Sequence, residues 1–378
     1  MIEYFLSFLS LYFLVYLLLT YLEEDWEEPA ADATPKVSIL IPAYNEEQTI
    51  AGTIKSALEL DYPDYEIMVI DDGSTDSTAK KAEETGVKVL RQKNSGKANA
   101  LNNALNHAKG ELIATLDADS YVDKDALRNM VGFFKNPNVM AVTPTMKVVP
   151  EKGVLVKMQK AEYTFSNLMV KIFSLLDSMM VTPGPFSVYR ASVFRELGGF
   201  NGSTQAEDNE MALRIQSAGY IIKSSKKAVV YTKVPKTISA LFRQRKRWYV
   251  GYLGNVKKYL RLFNPRYGEF GIFVLPATVI LLILMLAKTS LDTISAVNSF
   301  FYGTGLAGGF IQPFELLSMG ALGIGLVLFF LSILEYREKP SVSSLVYLMF
   351  FMLLSPIMYA YAFLMKGYEM ITGRSAKW

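Results

Sequence analysis

The chain contains no cysteine, and its 378 residues include a single histidine, His107. Disulfides, thiol nucleophiles, cysteine-ligated zinc and iron–sulfur clusters are therefore excluded. A histidine-based triad would have to use His107. That residue stands near the end of a predicted helix, just before Lys109-Gly110, where a histidine faces the helix C-terminal dipole. We read it as structural. No Gly-x-Gly-x-x-Gly follows a predicted strand, which argues against a nicotinamide or flavin dinucleotide domain. Acid–base chemistry falls to Asp and Glu, and any catalytic metal to oxygen ligands.

Apolar residues are in excess. They make up 51% of the chain, and the mean hydropathy of +0.20 comes from a few long runs. Part of the chain is therefore expected to lie in a membrane. Residues 1–22 carry one charge, Glu3, and are long enough to span a bilayer. They lack the basic start and small-residue cleavage site of a signal peptide, so a retained anchor is expected. Further spans are expected at 272–287, 314–334 and 342–365. Residues 289–312, with Asp292, Asn298 and several glycines, fit an outer loop, a re-entrant segment or a short fourth span. The tendency of Lys and Arg to stay on the cytoplasmic side pulls both ways here. Three later spans place Arg337 and Lys339 inside, and four place Lys366, Arg374 and Lys377 inside. Three is the expectation.

Residues 36–120 alternate strand and helix. Strands are predicted at 37–41, 66–70, 87–90 and 112–116, and helices at 47–60, 75–85 and 97–108. That alternation means βαβ units and a parallel sheet. Ligands of such sheets bind beyond the carboxyl ends of the strands. Those ends are Pro42-Ala43-Tyr44-Asn45-Glu46, Asp71-Asp72-Gly73, Asn94-Ser95-Gly96-Lys97 and Asp117-Ala118-Asp119, and they should line one crevice. Asp117 and Asp119 can share a hard divalent cation, which favours carboxylates and substrate phosphates. Asp71 and Asp72 can accept hydrogen bonds from a base or ribose, and Tyr44 can pack on a base. Lys97, at a helix start, can meet phosphate oxygens.

Residues 236–263 form a second informative stretch. Apolar and aromatic side chains recur at helical spacing, and Arg243, Arg245, Lys246, Arg247, Lys257, Lys258 and Arg261 crowd the remainder. A basic, aromatic amphipathic helix beside membrane spans is expected in the bilayer interface, not on nucleic acid.

Val37 to Glu47, Val69 to Asp76, Gly96 to Asn102 and Thr115 to Asp119 resemble family-2 glycosyltransferases of the GT-A fold. The resemblance implies an α/β, Rossmann-like GT-A domain at 36–235, outside the transmembrane helices. It also implies a nucleotide sugar, usually a UDP-sugar, in the crevice, with Asp117 and Asp119 holding Mg²⁺ or Mn²⁺ against its diphosphate. Donor contacts are then expected from Pro42, Ala43, Tyr44, Glu46, Asp71, Asp72, Lys97 and Asp117. Thr182 to Arg190 resembles the Gly-Pro segment that meets the acceptor sugar in chitin- and hyaluronan-synthase-like members, through Gly184 and Pro185. Ala206-Glu207-Asp208 resembles the family's x-Glu-Asp, which implies Asp208 as catalytic base beside Glu207. Gln244-Arg245-Lys246-Arg247-Trp248 matches the Gln-x-x-Arg-Trp of processive synthases, such as those of cellulose, chitin, hyaluronan and poly-N-acetylglucosamine. That match implies Gln244 and Arg247 at the diphosphate and Trp248 stacked on the acceptor.

The expectation is a multi-pass cell-membrane enzyme. An anchor at 1–22 precedes a cytoplasmic domain at 36–235, interface helices at 236–266 and a membrane region at 270–366. It would extend a β-linked polysaccharide, with inversion and a metal, from a UDP-sugar to a glycan acceptor. A non-processive enzyme that adds one sugar to a lipid or lipid phosphate is the alternative. A transport or scaffold protein with a degenerate sugar-nucleotide domain would lack the full set of carboxylates. A nucleotidyltransferase would have no need of the aromatic basic helix.

Overall fold

The computed structural model describes residues 2–23, 27–302 and 313–339, with scattered positions between 344 and 368. In chain order the elements begin with α1 (Ile2–Glu23), β1 (Val37–Ala43), α2 (Ile50–Leu58), β2 (Tyr65–Asp71), α3 (Thr78–Glu83), β3 (Lys88–Arg91), α4 (Lys97–Leu105) and β4 (Leu112–Thr115). The middle of the chain gives β5 (Ser120–Val122), α5 (Ala126–Val131), β6 (Val139–Val148), α6 (Val154–Leu175), β7 (Ser187–Arg190), α7 (Ser192–Leu197), α8 (Glu207–Ser217) and β8 (Ile221–Thr232). Then come α9 (Ile238–Lys258), α10 (Leu275–Tyr302) and α11 (Pro313–Glu335). Every strand and helix expected between 37 and 120 is present, with the helices a few residues shorter than their periodicity predicts.

The eight strands form one mixed sheet in the order β3-β2-β1-β4-β7-β6-β8-β5. The first four are parallel, as the alternating pattern requires. β7 joins β4 antiparallel, with Thr115 opposite Ser187. Side chains of β1 alternate between two cores. Val37, Ile39, Ile41 and Ala43 pack under Ile50, Ile54 and Ala57 of α2, while Leu40 joins Ala100, Leu101 and Ala104 of α4. Burial on both faces explains why β1 and β2 read as unbroken apolar runs. Each large aliphatic side chain so buried contributes about 1.5–3 kcal/mol.

Ile2–Glu23, Phe270–Lys288 and Pro313–Glu335 are long and apolar enough to cross a membrane. Ser7 meets Ser318 and Tyr21 meets Glu335, so α1 and α11 run in the same direction. Tyr16 meets Glu269 and Glu3 meets Lys288, so α10 runs opposite to them. The C-terminal end of α11, with Arg337 and Lys339 just beyond it, therefore returns to the side of the sheet domain. Within the ambiguous stretch 289–312 the helix continues to Tyr302, and 303–312 lies outside the described residues. The expected span 342–365 is described only at some positions, each of them helical. Of its described positions, Leu348 packs on Phe329 and Ile333, and Met358 on Met158 and Leu241.

One polar junction ties the membrane helices to the domain. Glu335 Oε1 lies 2.6 Å from Lys171 Nζ of α6 and 2.7 Å from Lys226 Nζ of β8, and Tyr21 Oη donates to Oε2 at 2.7 Å. The Lys171 side chain is 9% exposed, so its charge depends on nearby carboxylate. Glu335→Ala is expected to destabilise the folded chain by about 3 kcal/mol. Thermal unfolding in detergent checks this, and a melting temperature equal to that of wild type would contradict it.

Candidate active site

The four segments meet where the chain pattern puts them, at the carboxyl ends of the parallel strands. β1 delivers Pro42 and Ala43, both buried, and then Tyr44, which is 48% exposed at the rim. Asn45 follows in the left-handed conformation (φ 55°), and its Oδ1 accepts from Thr75 N–H at 2.9 Å. This stitches the end of β1 to the end of β2. Glu46 accepts from the Thr49 hydroxyl at 2.7 Å. Asp71 and Asp72 are buried. Asp72 does more local work than its sequence position reveals: it accepts from Gln92 Nε2 (2.7 Å), Ser95 N–H (2.9 Å) and Gly96 N–H (2.8 Å). It therefore holds the loop that presents Lys97. Gly96 sits at φ 92°, which only glycine adopts at little cost, and α4 starts at the next residue.

Lys97 is the centre of the site. Its Nζ lies 2.6 Å from Asp117 Oδ1 and 3.2 Å from Glu207 Oε1. Burial acts to lower its pKa, but the charges of Asp117 and Glu207 outweigh burial and raise it, so the ammonium is held protonated. One side chain thus joins the end of β4 to the start of α8. At Asp119 the opposing effects, a hydrogen bond from the Ser120 hydroxyl and the Lys97 charge, are too weak to compensate. Burial, then the charges of Asp117 and Glu46, push its carboxyl up to about 6. Among the described residues, no group of three or more His, Cys, Asp or Glu gathers at metal-ligand spacing. The protein would thus supply two carboxylates, and substrate oxygens the other ligands. Two crowded oxygen donors with excess negative charge fit a hard divalent cation.

Gly184 and Pro185 enter from the antiparallel side, just before β7. A Cβ on Gly184 would collide with Lys97 Nζ and lie 2.8 Å from Asp117 Oδ2. The segment expected at the acceptor therefore also lies against the carboxylate of the Asp-x-Asp. Beneath it, the Thr182 hydroxyl donates to the Asp208 carbonyl at 2.9 Å.

Glu207 and Asp208 open α8. Burial would raise the Glu207 carboxyl, but Lys97 outweighs this and holds it below its usual range. Asp208 goes the other way. Burial and the neighbouring Glu207 charge push it up to about 6, opposed by Lys97, the Asn209 N–H at 2.7 Å and Arg247. Two adjacent carboxylates are thus driven apart in basicity, the pattern that separates a permanent charge from a proton acceptor.

α9 carries Gln244, Arg247 and Trp248, and brings Arg247 to the Glu207–Asp208 pair. Arg247 is near enough to Glu207 and Asp208 to lower both carboxyls. Gln244 Oε1 is buried without a hydrogen-bond partner among the described residues, so it is available to a ligand. Trp248 is half-buried, and the Arg245 guanidinium lies 4.2 Å from its ring centre. Arg245 is 2% exposed and paired with Glu162 of α6 at 2.7 Å. α9 therefore does not merely rest in an interface, as its basic face predicts, but is packed into the domain. A Cβ on Gly251 would meet Ala206, and Asn255 Nδ2 donates to the Ala206 carbonyl (3.0 Å) and to Asn209 Oδ1 (2.9 Å). Glu162, Gly251 and Asn255 carry no sequence signal as site residues, because each acts through another residue far along the chain.

Residues 38–198 match the sequence model of the family described as Glycosyl transferase family 2. The poly-beta-1,6-N-acetyl-D-glucosamine synthase of Staphylococcus epidermidis is 34% identical over 222 residues, which is 57% of this chain and 54% of that protein. The synthase of the same name from Staphylococcus aureus (strain COL) is 32% identical over 227 residues, or 58% of this chain and 55% of that one. The chain thus spans about half the length of these curated relatives. Among solved structures, a mannosyltransferase from Pyrobaculum calidifontis, in complex with GDP-Man and Mn²⁺, superposes with a TM-score of 0.57 at 21% identity. The match covers 88% of this chain and 100% of that one. This likeness concerns the fold.

Two substitutions test the geometry. Gly184→Ala is expected to force Lys97 and Asp117 apart and to weaken UDP binding, measured by calorimetry with Mg²⁺, roughly tenfold. Gly254→Ala, which meets nothing within 4 Å, should leave it unchanged. Glu162→Gln removes the counter-charge of a buried arginine. It is expected to lower stability by about 3 kcal/mol and to shift the Trp248 emission, and an unaltered spectrum would separate Trp248 from this pair.

Proposed function

We propose, from the membership of residues 38–198 in glycosyl transferase family 2 and the GT-A fold of the domain containing them, that the chain extends a β-linked polysaccharide from a UDP-sugar. The sugar in the relatives' name, N-acetylglucosamine, is the donor we favour. The observation that carries the reading is Lys97, bonded at once to the Asp-x-Asp carboxylate and to the Glu-Asp pair. It brings donor-side and acceptor-side groups within one side chain's reach.

In this reading Pro42, Ala43, Tyr44, Glu46, Asp71 and Asp72 border the nucleotide, with Asp72 acting mainly through the loop it holds. Asp117 and Asp119 would hold Mg²⁺ or Mn²⁺, which when bound offsets charge on the departing diphosphate. Lys97, Gln244 and Arg247 face that diphosphate from the protein side. The acceptor lies between Gly184-Pro185 and the Trp248 ring. Asp208 takes the proton of the acceptor hydroxyl as its oxygen attacks the anomeric carbon. The bond from that carbon to the diphosphate oxygen breaks, UDP leaves, and the configuration inverts. Glu207, ionised by its contact with Lys97, keeps Asp208 basic enough for this step.

The three apolar helices support a membrane protein. A cytoplasmic domain is the side on which a sugar nucleotide is met. The Gln-x-x-Arg-Trp motif favours repeated addition over a single one.

Asp208→Asn is expected to keep donor binding and to reduce transfer at least a hundredfold. The wild-type rate should be level above pH 6 and fall about tenfold per unit below it, since a base with a pKa of about 6 is protonated there. Stability should move oppositely. The raised pKa means that ionising Asp208 costs stability as pH rises through about 6, so Asp208→Asn should melt no lower than wild type at pH 8. The assay is turnover of purified protein with UDP-N-acetylglucosamine and Mg²⁺ or Mn²⁺, with the product sized on a gel. A long polymer supports the reading. A single addition to lipid would replace it with the non-processive alternative.

A further inference from the structure

A cavity of about 460 Å³ lies between α6 and the C-terminal end of α11, on the side of α6 away from Glu162 and the crevice. Its wall carries Lys157 and Lys160 from α6, and Arg337 and Lys339 from the residues after α11. The one carboxylate, Glu338, is already engaged by Lys160 at 2.7 Å. Lys157, Arg337 and Lys339 have no acidic partner among the described residues. The floor is apolar, formed by Ala161, Phe329 and Ile333. Phe329 and Ile333 belong to a helix that is long and apolar enough to cross the membrane. The cavity therefore has a cationic mouth and a greasy base, and it opens where α11 rejoins the domain.

The backbone supports this. Arg337 is in the left-handed conformation (φ 51°), where glycine or asparagine is expected at a helix end. For an arginine this costs on the order of 1 kcal/mol. The Glu338 N–H closes the helix onto the Ile333 carbonyl at 2.9 Å, so the turn directs residues 337–339 to the cavity rim.

We propose that this cavity binds the phosphate headgroup of an anionic lipid from the leaflet facing the catalytic domain. Lys157, Arg337 and Lys339 supply recognition of the phosphate, and the exposed Phe330 and Leu334 of α11 run beside the start of the acyl chains. A neutral zwitterion would leave the excess positive charge unmet, and a free phosphate would gain nothing from the exposed apolar side chains of α11. The cavity lies close to the Glu335 junction and one helix face away from the Glu162–Arg245 pair, so the lipid would brace the helices that carry both.

The test uses the purified full-length chain in detergent, titrated with phosphatidylglycerol or phosphatidylcholine and read by native mass spectrometry. Saturable retention of phosphatidylglycerol, unaffected by excess inorganic phosphate, is expected. In the triple variant Lys157→Gln/Arg337→Gln/Lys339→Gln the affinity should fall about tenfold or more. Equal retention of phosphatidylcholine, displacement by phosphate, or unchanged binding by the variant would each overturn the proposal. If the variant does not fold, a photoactivatable phosphatidylglycerol on wild type decides. Labelling within 154–175 or 325–339 supports the site, and labelling confined elsewhere refutes it.

Discussion

The site depends on one ammonium group. Lys97 stands between Asp117 and Glu207, and without it the end of β4 and the start of α8 would place carboxylates of like charge in one buried crevice. Its location is itself built: Asp72 fixes the loop before it, and Gly96 permits the turn that starts α4. A lysine at a helix start can release a carboxylate to a cation and turn to phosphate instead. In the proposed function the same side chain would meet the carboxylates before the donor binds and its diphosphate afterwards.

Around that centre, charge is sorted by packing. α8 and α9 meet so closely at Ala206 and Gly251 that the Glu-Asp pair and the Gln-x-x-Arg-Trp motif behave as one unit. Arg247 faces the acids, while Arg245, two residues before it, turns away and is buried on Glu162. Alternate basic residues thus have opposite tasks, one electrostatic at the site and one structural behind Trp248. The membrane helices join this assembly through α6, which carries Glu162 on one side and Lys171 on another.

The first half of the domain was legible because its information is local. Apolar periodicity, glycine turns and acids at strand ends give β1 to β4, and the crevice follows from parallel topology. The second half was not legible in this way. β7 reaches Asp117 only by pairing antiparallel with β4, a contact between residues more than 70 positions apart. Arg245 sits in a basic run that reads as a solvated face, and its partner Glu162 lies in an apolar helix with nothing to mark it. Asp72 carries the motif that suggests a nucleotide contact, but its loop bonds are set by distance and angle, which residue type does not encode. The resemblance to known synthases supplied Asp208 and Trp248, and the geometry supplies the reason for their neighbours.

The antiparallel joint between β4 and β7 has a further meaning. The chain leaves β4 towards Asp117 and enters β7 from Gly184 at one point, where Thr115 faces Ser187. The strand pairing therefore fixes where the two flanking segments start, with Asp117 two residues beyond β4 and Gly184 three residues before β7. A strand can change register without turning its faces inside out only in two-residue steps, about 7 Å at a time. The reach of the β7 end along the strand axis, relative to β4, is thus set in such steps. Finer adjustment must come from the residues that flank the two strands, such as Gly184, where one added Cβ already meets Lys97 and Asp117.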